Sequence, residues 1–327
     1  MEFLSNKIIL ITGGSGSFGN ALVKYLLKSS NLKKIIIFSR DENKQFEMQN
    51  KFRNKNLRFF LGDVRDEDRV FTALKDVDYV IHAAAQKHVP AAEYNPFECI
   101  KTNIYGAQTV ISASIKQKVK KVIAISTDKA CNPINLYGAT KLCAEKLFVN
   151  GNQLSGANGT KFSVVRYGNV IASRGSLIPF FLDLIKKKEK SLPLTHELMT
   201  RFFITIEDSV KFVLDSLRNL KGGEIIIPKM NSIYILDLIR FINSTLPIKI
   251  IGLRPGEKLN EILMSKDENS LAYETKKYFL IYPNFKKIKK VGKKVINNFE
   301  YSSNSKMYLN KLKVTNLIKK SKVLEIL

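Results

Sequence analysis

The stretch Thr12-Gly13-Gly14-Ser15-Gly16-Ser17-Phe18-Gly19 joins a short apolar run to a segment in which apolar residues recur at helical spacing. Glycines at its second, fifth and eighth positions permit a tight turn, close approach of the backbone to a pyrophosphate, and close packing of the helix. The N-terminus of that helix favours negative charge. A glycine-rich pattern alone is weak evidence. Its position between a strand and a helix predicts a dinucleotide-binding loop, with a plain glycine turn as the alternative.

Short apolar runs alternate with longer segments of helical period over the first half of the chain. The predicted strands cover residues 7–11, 34–38, 57–61, 79–82, 121–126 and 162–166. The predicted helices cover residues 17–28, 42–52, 67–75, 96–116 and 137–150. This alternation indicates repeated βα units and an α/β fold, a doubly wound parallel (Rossmann) sheet with a smaller C-terminal substrate-binding domain.

The alternation loosens after Tyr167, which indicates a domain boundary. We place the dinucleotide-binding domain at residues 1–167. A strand-like run at 224–227 can return to the sheet, so we expect residues 203–229 to complete that domain. The substrate-binding domain then comprises residues 168–202 and 230–327.

The charge balance is strongly basic: 54 lysines and arginines against 29 acidic residues give a net charge of +25. Such an excess is compatible with nucleic-acid binding. Much of it lies in lysine pairs near the end of the chain, such as Lys293-Lys294 and Lys319-Lys320, without any zinc-finger, basic-zipper or RNP-type motif. We therefore favour a solvated face and expect no nucleic-acid partner. An anionic small-molecule substrate is equally compatible.

Hydrophobic residues make up 45% and charged residues 25% of the 327 residues, a balance typical of a folded protein. No apolar run approaches the roughly 18 to 20 residues of a membrane span, and no basic leader precedes the first strand. We expect a cytoplasmic protein without membrane contact. Cys99, Cys131 and Cys143 lack the close spacing of a metal or disulfide motif, so we expect reduced thiols and no metal site.

Ser39-Arg40-Asp41 ends the second predicted strand, where an NAD-selective site carries an acid for the ribose hydroxyls. An arginine there can pair with a 2′-phosphate, so we favour NADP over NAD, although Asp41 keeps NAD open. Gly62-Asp63-Val64 ends the third strand. Asp63 can lie against adenine or cap a helix, and its spacing does not separate the two roles.

Tyr137 and Lys141 are four residues apart and share one face of a predicted helix. A nearby cation lowers the pKa of a phenol and makes it a usable base near neutral pH. An isolated pair of this kind is by default an ordinary surface pair. Because Ser126-Thr127 ends the preceding strand, at the sheet edge where ligands bind, we predict a catalytic site here.

Further motifs narrow the interpretation. They are Ser126-Thr127-Asp128-Lys129-Ala130, Leu136-Tyr137-Gly138-Ala139-Thr140-Lys141, Arg166-Tyr167-Gly168-Asn169-Val170, His88-Val89-Pro90, Met199-Thr200-Arg201-Phe202 and Gly256-Glu257-Lys258-Leu259. With the glycine-rich loop, they resemble the extended short-chain dehydrogenase/reductase family. Within it, the chain is similar to the soluble 5-inverting UDP-N-acetylglucosamine 4,6-dehydratases of the pseudaminic acid pathway. The likeness runs from about Lys7 to about Tyr301.

This resemblance implies a lyase that oxidises C4 of the sugar with NADP, removes water across C5 and C6, and returns the hydride to C6 with inversion at C5. It implies that Tyr137 removes the hydroxyl proton, that Lys141 lowers the pKa of Tyr137, and that Thr127 holds the hydroxyl. Asp128 would assist loss of the C6 hydroxyl, and Lys129 would act at C5. Without the family, Asp128 and Lys129 would be interpreted as an exposed ion pair.

The resemblance also assigns binding residues. The cofactor-binding set is Thr12, Gly13, Ser15, Gly16, Ser17, Phe18, Gly19, Ser39, Arg40, Asp63, Val64, Ala83, Ala84, Ala85, Tyr137, Lys141 and Tyr167. The substrate-binding set is Lys87, Thr127, Lys129, Tyr137, Asn169, Arg201, Arg254 and Glu257. Cations in the second set suit the diphosphate of UDP-N-acetylglucosamine.

Tyr137 also separates subfamilies, because we expect methionine at this position in membrane-anchored retaining dehydratases and in epimerising soluble relatives. Two positions depart from the family pattern. Gln86 stands where methionine is expected, which affects the packing of the pocket. Asn260 stands where histidine is expected, which affects a contact near the nucleotide. A nucleotide-sugar C4 or C5 epimerase, or a non-catalytic nucleotide- or nucleic-acid-binding scaffold, stays open. The resemblance suggests a homo-oligomer, with a hexamer as one candidate.

Overall fold

The computed structural model describes residues 1–171, 173, 175–285, 289–321 and 323. Its strands are β1 Ile8–Thr12, β2 Lys34–Ser39, β3 Leu57–Leu61, β4 Tyr79–His82, β5 Lys121–Thr127, β6 Lys161–Tyr167, β7 Asn169–Val170, β8 Leu192–Leu194, β9 Thr200–Ile204, β10 Ile225–Pro228, β11 Asn231–Tyr234, β12 Ile248–Ile250, β13 Ile262–Met264, β14 Ala272–Glu274, β15 Tyr278–Ile281, β16 Lys293–Lys294 and β17 Tyr301–Ser302. Its α-helices are α1 Ser17–Ser29, α2 Glu42–Phe52, α3 Glu67–Ala73, α4 Val89–Tyr94, α5 Pro96–Ile100, α6 Gly106–Lys116, α7 Leu136–Ser155, α8 Leu177–Lys186, α9 Ile206–Asn219, α10 Ile235–Ile242 and α11 Lys311–Lys320.

A ten-stranded sheet forms the centre of the described chain, in the order β16-β14-β15-β10-β6-β5-β4-β1-β2-β3. From β3 to β10 its neighbours pair in parallel, with Thr12 opposite His82 and Thr127 opposite Tyr167. All five residues of β1 are buried, as expected for an apolar strand covered by helices on both faces. The predicted doubly wound α/β sheet is confirmed, and all six predicted strands agree with observed strands to within one residue at each end.

The helices of the first half of the chain largely follow the sequence pattern as well, whereas α8, α10 and α11 of the second half were not predicted. The predicted helix at 96–116 consists of α5, a π-helical turn at Lys101–Tyr105, and α6. Helix α7 runs five residues further than predicted and ends at Gly156, which has a φ of 74°. Helix α4 was not predicted, because its six residues are too few to show a helical period, although Pro90 in its first turn is a helix-start signal.

A second, smaller hydrophobic core lies beside the large sheet. Strands β7, β9 and β11 form a three-stranded sheet there, and β8 pairs with β12. Helices α8, α10 and α11 contribute buried side chains to this core, among them Phe181, Leu238 and Ile318. Helix α11 turns Val314 and Ile318 inward while its lysines, including Lys319 and Lys320, are exposed. This arrangement agrees with the predicted solvated face.

The large sheet draws on both predicted domains. Strand β10 pairs in parallel with β6, so the run at 224–227 does return to the sheet. Beyond β10, strands β15, β14 and β16 continue the sheet in antiparallel pairing. Residues 272–294 of the predicted substrate-binding segment 230–327 thus include strands of the large sheet, and the division into two domains stays a prediction. Within the described residues, no helix combines the length and the apolar character that crossing a membrane requires.

Candidate active site

The glycine-rich loop runs from the end of β1 into α1. Gly13 has a φ of 65°, and a Cβ at this residue would lie 2.9 Å from the backbone nitrogen of Ala84. Thr12 Oγ1 accepts hydrogen bonds from the N–H groups of Ala83 and Ala84 at 3.2 and 3.3 Å. Helix α1 has no side-chain cap at its N-terminus, where backbone N–H groups and the helix dipole favour an anion. The loop and helix fit the pyrophosphate of a dinucleotide.

The ends of β2 and β3 carry the residues expected to distinguish the two cofactors. Arg40 is half-exposed, with Nη1 3.3 Å from Asp63 Oδ2. Asp41 is the N-cap of α2 and accepts a hydrogen bond from Lys44 N at 2.9 Å. Burial alone would raise the pKa of Asp63, but hydrogen bonds from Arg65 bring it below the ordinary value. The structure leaves Arg40 accessible and gives Asp41 a helix-capping role.

A cavity of about 240 Å³ opens beside the glycine-rich loop. Lys44 and Lys51 of α2 line it together with Ser15 and Ser17. Ser15 Oγ also donates a hydrogen bond to Ser39 Oγ at 3.0 Å. The sequence analysis missed the two lysines, although their spacing of seven residues places them on one face of a helix. Glu47 lines the same cavity and Lys44 Nζ pairs with the Asp41 carboxylate, so carboxylates partly balance these two positive charges.

The end of β5 and the start of α7 place the predicted catalytic side chains near one another. Strand β5 ends at Thr127, and Asp128–Ala130 form a single 3₁₀ turn. Asn135 caps α7 by accepting a hydrogen bond from Gly138 N at 2.8 Å. A Cβ at Gly138 would overlap the carbonyl oxygen of Lys129. Glycine at this position therefore allows α7 to approach the 3₁₀ turn closely.

Lys129 lies between two buried carboxylates. Its Nζ is 3.0 Å from Asp128 Oδ1 and 3.1 Å from Glu261 Oε1. Thr127 Oγ1 donates a hydrogen bond to Asp128 Oδ1 at 3.0 Å. Asp128 Oδ2 has no hydrogen-bond partner within the described part of the chain. The Asp128 side chain is 1% exposed, so the pair is not the exposed ion pair of the alternative interpretation.

The charged groups in this cluster shift one another's pKa values. Burial raises the pKa of Asp128, although the Lys129 cation opposes the rise. Burial would lower the pKa of Lys129, but the carboxylates of Asp128 and Glu261 hold it above the ordinary value. Burial would likewise raise the pKa of Glu261, and the cations of Lys129 and Arg201 bring it down. Of the two carboxyl groups, Asp128 is therefore the better proton carrier.

Tyr137 is buried beside this cluster. Burial raises the pKa of Tyr137 to about 12, whereas the Lys129 cation and a hydrogen bond with Thr127 oppose that rise. Lys141 Nζ instead donates a hydrogen bond to the carbonyl oxygen of Ile125 at 2.7 Å, and burial lowers the pKa of Lys141 to about 8. In this structure Lys129 is the cation that opposes the rise in the pKa of Tyr137, and the Lys141 ammonium is bound to the backbone of β5; the predicted effect of Lys141 on Tyr137 stays a prediction.

Arg201 connects the smaller sheet to the cluster. It lies on β9, and its Nε is 3.6 Å from Glu261 Oε1. Its terminal nitrogens donate hydrogen bonds to the carbonyl oxygens of Thr200, Lys258 and Leu259 at 2.7 to 3.0 Å. The guanidinium predicted to grip the substrate therefore also holds the backbone on either side of the site.

A larger cavity of about 500 Å³ lies between α8 and the loop that precedes β13. Arg254 and Glu257, both predicted to bind substrate, line this cavity together with Phe180. Asn135 Nδ2 donates a hydrogen bond to the carbonyl oxygen of Gly256 at 2.7 Å, which ties the loop to the start of α7. An apolar cavity with a few polar groups suits a small organic ligand.

The other predicted binding residues are spread along the same sheet edge. The cofactor set includes Ala83, Ala84 and Ala85, which follow β4 directly, Phe18 in the first turn of α1, and the buried residues Val64 and Tyr167. In the substrate set, Lys87 is exposed between β4 and α4, and Asn169 is half-buried in β7. The structure thus brings Thr127, Asp128, Lys129 and Tyr137 together. It places Arg254 and Glu257 on the 500 Å³ cavity, where Glu257 Oε1 lies 3.7 Å from Nη2 of Arg201, the arginine that also contacts Glu261.

The two departures from the family pattern also lie near this edge. The backbone of Gln86 is held by Asn103: Gln86 N donates to Asn103 Oδ1 at 2.8 Å, and Asn103 Nδ2 donates to Gln86 O at 3.0 Å. Asn260 Oδ1 accepts a hydrogen bond from Thr200 Oγ1 at 2.7 Å. Asn260 therefore joins the segment before β13 to β9.

Comparison with known proteins identifies the family. A family model described as polysaccharide biosynthesis protein matches residues 9–283. The chain belongs to this family. A relative from Campylobacter jejuni, named UDP-N-acetylglucosamine 4,6-dehydratase (inverting), is 54% identical over 312 residues, which cover 92% of this chain and 93% of that protein. A relative from Rickettsia bellii, named UDP-glucose 4-epimerase, is 44% identical over 283 residues, covering 84% and 83%.

A solved structure resembles this polysaccharide biosynthesis protein over nearly its whole length. The X-ray structure of Pen from Bacillus thuringiensis superposes with a TM-score of 0.89 at 40% sequence identity, covering 97% of this chain and 99% of that one. The predicted resemblance to extended short-chain dehydrogenase/reductases, and to the inverting dehydratases among them, is confirmed.

Sequence analysis of this family member missed Glu261, the second carboxylate on Lys129. Glu261 directly follows the departure at Asn260 and precedes the apolar residues of β13. An acid at the start of a buried strand is a signal that the sequence offers, because such an acid needs a charged partner. Among the described residues, no group of three or more histidine, cysteine, aspartate or glutamate side chains is arranged to hold a metal ion.

Proposed function

We propose that the chain catalyses the 4,6-dehydration of UDP-N-acetylglucosamine with inversion at C5, giving UDP-2-acetamido-2,6-dideoxy-β-L-arabino-hex-4-ulose. The observation that carries this proposal is the buried contact between Asp128 and Lys129 beside Thr127 and Tyr137. The 54% identity to a relative named as an inverting UDP-N-acetylglucosamine 4,6-dehydratase supports it.

The reaction needs an acid and a base beyond those of a simple oxidation. Oxidation at C4 makes the C5 proton acidic, so that a base can remove it while an acid expels the C6 hydroxyl as water. A nicotinamide held at the glycine-rich loop would supply the oxidation at C4 and the reduction at C6, and would be regenerated in each turnover. Epimerisation at C4 requires no elimination and leaves Asp128 and Lys129 without a task.

The side chains at the end of β5 and the start of α7 can supply both the acid and the bases of this reaction. Tyr137, in its deprotonated form, takes the proton of the C4 hydroxyl, which Thr127 holds; the Lys129 cation and the Thr127 hydrogen bond favour that phenolate against the effect of burial. One proton transfer from Lys129 Nζ to Asp128 Oδ1, across 3.0 Å, produces a neutral amine and a protonated carboxyl group. The amine accepts the C5 proton, and the carboxyl group donates its proton to the departing hydroxyl. C5 then takes a proton from solvent on the opposite face while the hydride returns to C6, which gives inversion, and Tyr137 releases to solvent the proton that it took from the C4 hydroxyl.

We propose NADP rather than NAD as the cofactor. Arg40 is half-exposed at the end of β2, where an arginine suits a 2′-phosphate. Asp41, the residue that favoured NAD, is engaged as the cap of α2.

We also propose that the enzyme acts as a homo-oligomer in the first step of pseudaminic acid-type nucleotide-sugar biosynthesis. Tyr94, Phe97 and Tyr105 support the oligomer, because these aromatic side chains are 87%, 74% and 56% exposed on neighbouring helical segments. Exposed aromatic clusters of this kind are typical of protein interfaces. The number of subunits and the cytoplasmic location stay predictions.

An epimerase is the second candidate function, and the 44% identity to a relative named UDP-glucose 4-epimerase supports it. Incubation with UDP-N-acetylglucosamine in deuterated water, without added cofactor, separates the candidates by mass spectrometry and proton NMR. A 4-keto-6-deoxy product that has lost one water, with deuterium at C5 and inverted configuration, supports the dehydratase. Retained configuration contradicts the role of Lys129, and an isomer without loss of water favours the epimerase. Unchanged substrate contradicts both and favours the non-catalytic scaffold.

A further inference from the structure

Glu261 is a buried carboxylate to which neither the sequence pattern nor the family resemblance assigned a role. Its side chain is 2% exposed. Oε1 lies 3.1 Å from Lys129 Nζ and 3.6 Å from Arg201 Nε. Oε2 has no hydrogen-bond partner within residues 1–171, 173, 175–285, 289–321 and 323. A buried charge is costly unless it is paired, and here the pairing is with the lysine of the proposed elimination step.

The backbone of Glu261 is held from two sides. Its N–H donates to Ser303 Oγ at 2.9 Å, and its carbonyl oxygen accepts from Ser303 N at 2.9 Å. Ser303 Oγ in turn lies 2.7 Å from Thr200 Oγ1 on β9. These bonds fix the main chain of Glu261 and direct its carboxylate at Lys129.

We propose that Glu261 is a positioning residue for the elimination step, holding Lys129 Nζ against Asp128 and setting the pH range in which these two side chains share one proton. The inference rests on the proposed function. It adds a residue about 130 positions away from the catalytic turn, and it states what that residue does to the acid and the base.

The charges around Glu261 determine the sign of its effect. Asp128 and Lys129 face it from the turn after β5, Arg201 from β9 and Lys258 from the preceding loop, with Tyr137 on α7 beside Lys129. Removing one negative charge from this group lowers the pKa of every neighbour, by about one unit or more at such distances. Both limbs of a bell-shaped pH profile that reports the Asp128–Lys129 pair therefore move to lower pH.

The decisive variant is Glu261→Gln, which keeps the shape of the side chain and removes its charge. The first measurement is the rate at which acetic anhydride acylates Lys129, compared with exposed Lys75 by peptide mass spectrometry. We expect about a tenfold increase for each unit by which the pKa of Lys129 falls. The second is the pH profile of kcat, which we expect to shift to lower pH, with kcat at neutral pH reduced about tenfold and KM changed less than about threefold.

Glu261→Asp retains the charge, so its profile should stay at the wild-type position. Glu224→Gln is the matched control: Glu224 is equally buried, accepts a hydrogen bond from Ser163 Oγ at 2.7 Å, and precedes β10 at the opposite edge of the sheet. We expect neither measurement to change in Glu224→Gln. A purely structural role for Glu261 would lower kcat without moving the profile.

An unchanged Lys129 acylation rate in folded Glu261→Gln overturns the proposal, as does an unshifted pH profile. If Glu261→Gln does not fold, Asp128→Asn decides: among the described residues Glu261 is then the carboxylate left on Lys129 Nζ, so the pKa of Lys129 from the pH dependence of acylation must stay at or above that of Lys75, and a lower value overturns the proposal. The acylation measurement needs no turnover. If the wild-type protein does not dehydrate UDP-N-acetylglucosamine, the proposed function fails while acylation still decides the role of Glu261.

Discussion

Acidification should destabilise this protein through His82, the last residue of β4. Its ring is 2% exposed and lies 5.3 Å from the ring of Phe148. Thr12 Oγ1 already accepts two backbone N–H groups, so its own proton is donated to His82 Nδ1 at 2.8 Å. The imidazole is therefore neutral, with its proton assigned to Nε2. Burial, with a contribution from the Lys141 cation, lowers the pKa of His82 to about 3.

The size of the effect follows from the unfolded chain. An unfolded histidine has a pKa of about 6.5, so below that pH the unfolded state binds more protons and the free energy of unfolding falls. A pH of 5 lies about 1.5 units below this unfolded pKa, and each unit is worth about 1.4 kcal/mol. The free energy of unfolding is therefore about 2 kcal/mol lower at pH 5 than at pH 7. Between pH 7 and pH 5 this number depends almost entirely on the unfolded pKa, because the folded pKa lies well below 5.

The assay is urea unfolding of the wild type and His82→Asn at pH 7 and pH 5. Asparagine offers an acceptor near the position of Nδ1 but carries no proton-binding ring. We expect the variant to be less stable at pH 7, since it loses the packing against Phe148, and to lose about 2 kcal/mol less than the wild type on acidification. Equal losses in the two proteins would refute a buried neutral His82.

The remaining expectations concern the catalytic turn. Tyr137→Phe should lower kcat by about 100-fold or more, because it removes the proposed base, while cofactor affinity measured by calorimetry stays near the wild-type value; full turnover would contradict the assignment. Lys129→Ala should still reduce the bound nicotinamide but incorporate no deuterium at C5, and deuterium uptake at the wild-type rate would contradict its role as base. Gly138→Ala should displace the turn that carries Lys129, abolish activity and cost about 1 to 3 kcal/mol of stability, whereas Gly151→Ala on the same helix retains activity in the same assay.

Much of the fold could be predicted from the sequence because the decisive signals are local. A parallel strand buried on both faces appears as a short apolar run, so β1 to β6 were each located to within one residue. The glycine-rich loop could also be recognised from the sequence. Gly13 has a positive φ and packs closely against Ala84, so this position requires glycine. Helix α4 escaped prediction, since six residues are too short to display a period.

The placement of the residues proposed for the elimination could also be predicted from the sequence, while their roles stay proposals. Thr127, Asp128 and Lys129 are consecutive, and the strand before them places all three at the carboxyl edge of the sheet. Only the tertiary structure decided their partners. Glu261 reaches Lys129 from a segment more than a hundred residues away, and Lys141 Nζ donates a hydrogen bond to the backbone of β5. Periodicity records which side of its own strand or helix a residue occupies, whereas charge pairing depends on distances that exist only after distant segments have packed together.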